Sequence, residues 1–187
     1  NVRLKQDALP GRTIKAWLNA TKPGRFELAC AELCGFGHHN MRGLADPCPE
    51  ILLGRIAAST SRIRVGTGGV LLPYYSALKV AEIFRMHETL NPGRIDLGIG
   101  RAPGGDMLTA NAINDRALED MDRFPALVQE MVGWLDGNLP PEHPYSMVRA
   151  MPAGPTSPQV WLLGSSDYSG ALAAYLGLRF SFAHFIN

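Results

Sequence analysis

Charge of one sign, cysteine and long apolar runs are all scarce in this sequence. The formal net charge is +1, with 18 Lys and Arg against 17 Asp and Glu scattered along 187 residues. A nucleic-acid partner needs a basic stripe to replace phosphate counterions, and the chain has none. No apolar run approaches the ~20 residues that span a bilayer, and no signal peptide opens the chain, so a cytoplasmic protein is expected. Three cysteines are an odd count and fit metal chemistry or reduced thiols better than a disulfide framework. The dinucleotide fingerprint is also missing, because GTGGVLL (66–72) lacks its full spacing. No short repeat or low-complexity tract is present.

What is present can build a core. Hydrophobic residues make up 46% of the chain, which excludes a disordered composition. Chemistry is concentrated in CAELCGFGHHNMRG (30–43). Cys30, Cys34, His38 and Met41 are soft and borderline ligands that favour copper over magnesium or calcium. Zinc would take Cys30, Cys34 and His38 with one more ligand. The plain alternative is that the cysteines pack as small hydrophobes and His and Met fill gaps.

Periodicity divides the chain. TIKAWLNA (13–20) and the alternating RFELAC (25–30) form a hairpin about TKPG (21–24), whose Pro and Gly suit a type II turn. From Pro49 onward helix and strand alternate. Helices are expected over 49–60, over 77–90 with Ser76 as cap, over 122–136 ended by Gly137, and over 168–176 ended by Gly177. Strands are expected over 62–72 (interrupted by glycines), 94–100, 159–164 and 179–185. The Pro- and Gly-rich stretch 138–158 reads as a long surface loop. Such alternation argues for βα units around a parallel sheet.

From His38 onward the sequence resembles the bacterial luciferase-like flavin-dependent oxidoreductases. The resemblance is carried by HHNMRGLADPCPEILLGRIAASTSRIRVGTGGVLLP, LKVAEIFRMHETLNPGRIDLGIGRAPGGD and VWLLGSSDYSGALAAYLGLRFSFAHF. It implies a TIM barrel that binds reduced FMN, or F420 in some branches. It also implies a small-molecule substrate, O2 activation or substrate reduction, and the dimer that the family often forms. By the same resemblance Gly68 and Gly69 lie in a bulge behind the flavin ring, and Arg101 meets the flavin phosphate. Ser165, Ser166 and Ser169 bind that same phosphate, and His38 and His39 line the pocket as catalytic candidates. The acid that precedes the two histidines in the family is Gly37 here. His184, at a later strand end, is as well suited to the core as to catalysis.

The run LKQDALPGRTIKAWLNATKPGRFELACAELCGFGHHNM (4–41) resembles the end of the cupredoxin domain of cytochrome c oxidase subunit II. That resemblance implies a binuclear copper site held by Cys30, Cys34, His38, Met41 and the backbone carbonyl of Glu32, on the periplasmic face of a membrane. No histidine precedes His38, so the family's second His ligand is missing.

The expectation is an α/β chain: a cupredoxin-like β-hairpin over 1–41, then a partial luciferase-like TIM barrel of about four βα units over 42–187. Eight units make a whole barrel, so a chain of four is expected to leave sheet edges open and to lose activity with the missing strands. Three readings stay open: a flavin-dependent oxidoreductase, a copper electron-transfer module, and a fusion of two fragments without function.

Overall fold

The computed structural model describes residues 49–101 and 107–183. The expected hairpin over 1–41 and the residues His38, His39, Cys30, Glu32, Cys34, Met41 and His184 lie outside the described residues.

Helix α1 runs Pro49–Ala58, and Pro49 stands in its first turn, where the missing N–H costs nothing. Two short strands follow, β1 (Val65–Gly66) and β2 (Val70–Leu71), then a 3-10 turn at Leu72–Tyr74. Helix α2 covers Ala77–Leu90 and strand β3 covers Ile95–Gly100. Three helices come next: α3 (Met107–Ile113), α4 (Ala117–Asp122) and α5 (Phe124–Asp136). The chain continues with β4 (Gln159–Gly164), α6 (Asp167–Tyr175) and β5 (Arg179–Phe182).

All the pairings are parallel. β1 and β2 both lie along β3, β3 pairs with β4, and β4 with β5. The described sheet is therefore four strand positions wide, with β1 and β2 sharing one. The α/β class with a parallel sheet holds, whereas closure into a barrel is not seen among the described residues.

One core joins sheet and helices. Ile95, Leu97 and Ile99 alternate to one face of β3 and are fully buried with Phe84 of α2 and Val128 and Met131 of α5. Helix α2 forms as its ends dictate. Ser76 Oγ accepts from the Lys79 amide at 3.4 Å, and the Asn91 amide donates back to His87 O. Helix α5 ends on Gly137 at φ 68°, the left-handed conformation that glycine adopts without a Cβ clash.

The helix expected over 122–136 forms as α5, starting at Phe124 and ending before Gly137, with α4 directly ahead of it. The polar stretch before it carries α3 and α4, which show little apolar periodicity. Their connection is held by Asn114, whose Nδ2 donates to Pro73 O and to Asp120 Oδ2, both at 2.8 Å. The segment 138–158 is the expected loop, free of helix and strand, and it is tied down from beneath. Arg85 of α2 is buried and donates to the carbonyls of Leu135, Pro152, Gly154 and Thr156. His143 pins the same loop to α5. Its Nδ1 accepts from the Tyr145 amide, so Nε2 carries the proton that faces Glu130 Oε1 at 3.3 Å. No helix among the described residues is long and apolar enough to cross a membrane.

Candidate functional site

Parallel strands bring all their carboxyl ends to one side of the sheet, and ligands of α/β proteins sit there. On this side lie Arg101 after β3 and Ser165 and Ser166 after β4, while the β1–β2 junction lies level with the middle of β3.

The opposite end is a structural clasp. Arg64 Nε and Nη2 make a two-pronged contact with Asp96 at 3.1 and 2.8 Å, and Trp161 Nε1 donates to Asp96 Oδ1 at 3.0 Å. The Arg179 guanidinium stacks on the Trp161 ring at 5.2 Å. Hydrogen bonding to Asp96 pushes the Arg64 pKa above its ordinary value.

The β1–β2 junction contains a bulge. Val65 pairs with Ile95 and Val70 with Ile99, so five steps on one strand meet four on its neighbour. The extra residue falls within Thr67, Gly68 and Gly69. Gly69 takes φ +147°, which disfavours any side chain. The Thr67 hydroxyl holds the bulge against β3. It donates to Gly98 O at 3.0 Å and accepts from the Gly98 amide at 3.1 Å. A side chain on Gly98 would run into Thr67 O, so the approach requires its bare backbone.

The second part of the site is the start of α6. Ser166 is its N-cap, extended at φ −125° and ψ 157°, and its hydroxyl makes no capping bond. That hydroxyl instead lies 3.4 Å from Ser169 Oγ. Ser169 packs back against Gly164, where an added Cβ would overlap it. The leading amides of a helix have no acceptor within it, so this turn offers N–H groups, two hydroxyls and the positive end of the helix dipole.

Arg101 joins this helix start from the neighbouring strand. It is exposed, and its Cζ lies 4.7 Å from the centroid of the Tyr168 ring. Tyr168 is the second residue of α6 and precedes Ser169. The structure thus brings Arg101 together with the 165–169 turn. It places Gly68 and Gly69 in the bulge, beside the middle of β3.

Sequence reading missed Thr67 and Tyr168. Thr67 adjoins the glycine cluster already singled out, so a hydroxyl beside a bulge was a usable signal. Tyr168 had none, because its partner is far away in the chain.

A parallel sheet with Arg101 and the start of α6 beside each other beyond its strand ends defines an α/β protein. Residues 34–185 match the family model of the luciferase-like monooxygenases, and the chain belongs to that family. Residues 1–46 match the model of the periplasmic domain of cytochrome c oxidase subunit II. Both matches run through residues 34–46. The luciferase-like monooxygenase of Escherichia coli (strain K12) is 49% identical over 149 residues, which cover 79% of this chain and 43% of that protein. N-acetyl-S-alkylcysteine monooxygenase of Bacillus subtilis (strain 168) is 42% identical over 163 residues, 84% of this chain and 49% of that one. The crystal structure of apo-MsnO8 aligns with a TM-score of 0.66 at 45% identity, over 75% of this chain and 40% of that chain. The chain spans less than half the length of these relatives.

Proposed function

We propose that this chain carries part of the flavin site of a luciferase-like monooxygenase and that the cofactor is FMN. The observation behind this reading is the placement of the Arg101 guanidinium against the ring of Tyr168, a residue of the first turn of α6. The groups present suit a phosphate. A guanidinium offers in-plane N–H donors, Ser165, Ser166 and Ser169 offer hydroxyls, and the helix start adds amides and a favourable dipole. Asp167, in the same turn, is exposed, so its carboxylate can face water. Gly68 and Gly69 allow a flat ring to approach the bulge. The family resemblance assigns His38 and His39 to the same site, to hold or pass protons at their ring nitrogens.

The bound flavin supplies two electrons for work on O2 and a small-molecule substrate. The protein's share is to anchor, orient and exclude water. F420 also carries a phosphate group and is the alternative cofactor. The chain divides near residue 41, and the family part pairs with a second copy in solution.

Titration of flavin fluorescence tests the reading. FMN should bind more tightly than riboflavin, which lacks the phosphate, and Arg101→Ala should abolish the difference. Equal binding of the two flavins by the parent chain would refute it.

The match over residues 1–46 favours a second reading for that part alone, in which Cys30, Cys34, His38, Met41 and the carbonyl of Glu32 hold copper. An intense thiolate-to-copper band on titration, lost in Cys34→Ser, supports it. A chain that stays colourless ends it.

A further inference from the structure

We infer that Tyr168 is a positioning residue for Arg101, setting how strongly this site prefers a phosphorylated flavin. The inference rests on the phosphate reading of Arg101.

Arg101 follows the last residue of β3, is exposed, and carries a long side chain that loses much rotamer freedom when it is fixed. Among the described residues no carboxylate pairs with it. What the guanidinium meets is the Tyr168 ring at 4.7 Å, within the range of a cation–π contact. The choice of partner matters. A carboxylate would take the N–H edge of the guanidinium, the same edge a phosphate needs. An aromatic ring takes only its face and leaves the N–H edge open. Tyr168 therefore orders the cation before the anion arrives without competing with it. The ring belongs to the first turn of α6, so the cation is ordered relative to the helix start. Pre-ordering lowers the entropy lost when the ligand binds.

The test uses the whole 187-residue chain. FMN and riboflavin are titrated against the parent, Tyr168→Phe, Tyr168→Leu and Tyr168→Gln, and against each Tyr168 variant combined with Arg101→Ala. Loss of the ring should weaken FMN binding about 3- to 10-fold and leave riboflavin unchanged, as expected for a partly exposed cation–π pair. Tyr168→Phe should match the parent, because the ring and not the hydroxyl does the ordering. In the Arg101→Ala background the Tyr168 variants should have no further effect. Equal weakening of both flavins, a loss in Tyr168→Phe, or an undiminished effect without Arg101 would overturn the positioning role. A parent chain indifferent to the flavin phosphate is a separate outcome, and it overturns the phosphate reading together with this one.

Discussion

Thr67 and Gly98 exchange two hydrogen bonds through a single hydroxyl. Thr67 Oγ1 donates to the carbonyl of Gly98 and accepts from its amide, at 3.0 and 3.1 Å. One side chain thus repairs the ladder where the bulge interrupts it. Thr67→Val keeps the shape and removes both bonds, leaving a partly buried amide and carbonyl unmatched. A destabilisation of about 1–3 kcal/mol is expected, with Thr67→Ser retaining most of the stability. Urea unfolding midpoints of the three proteins check it.

Arg85 has backbone carbonyls where a buried cation would ordinarily have a carboxylate. It holds four of them, from the end of α5 and from three points of the following loop. Arg85→Met should cost about 3 kcal/mol or more, since charged hydrogen bonds are lost and the carbonyls are left without donors. Arg85→Lys should recover only part, because an ammonium cannot reach all four directions. Limited proteolysis should then cut within 138–158 first.

Burial lowers the His87 pKa below its ordinary value, and the nearby Glu50 only partly opposes this. Its Nδ1 is buried without a hydrogen-bond partner among the described residues. The folded chain therefore holds His87 neutral, while the unfolded chain takes up a proton near pH 6.5. Below that pH the unfolded state binds more protons, so stability should fall as pH drops and level off once the folded-state pKa is passed. His87→Gln should flatten this part of the stability curve, as read from melting temperatures between pH 5 and 8.

Phe84 is 1% exposed and sits between β3 and α5 in the core. Phe84→Ala should cost about 3–5 kcal/mol, whereas Phe84→Leu should cost much less. Thermal unfolding of the two variants side by side would show whether one core joins the two helices and the sheet.

Helix α2 was legible from end to end, because its signals are local. Ser76 caps its own third neighbour, and the apolar face repeats within the helix. The Gly137 stop of α5 was legible for the same reason. The helices α3 and α4 were not. Leu108, Ile113 and Leu118 stay exposed, so no buried apolar stripe marks these helices, and Asn114, which holds their junction, reaches the distant 3-10 turn. For the site, glycines near a strand end and serines before a helix stood out as local patterns. The Thr67 clamp needed the register of two strands.

The sequence alone determined the order of the strands and of helices α1, α2, α5 and α6, and the family, since periodicity, caps and dense motif matches are written within short stretches. It also marked Arg101 and the serines as candidates. Only the tertiary structure decided which of them meet. Parallel pairing of β3 with β4 brings Arg101 beside the first turn of α6 and sets its guanidinium on the Tyr168 ring. The same packing brings four distant carbonyls around Arg85. Such contacts join residues far apart in the chain, so they exist only once the sheet and its helices have closed on one core.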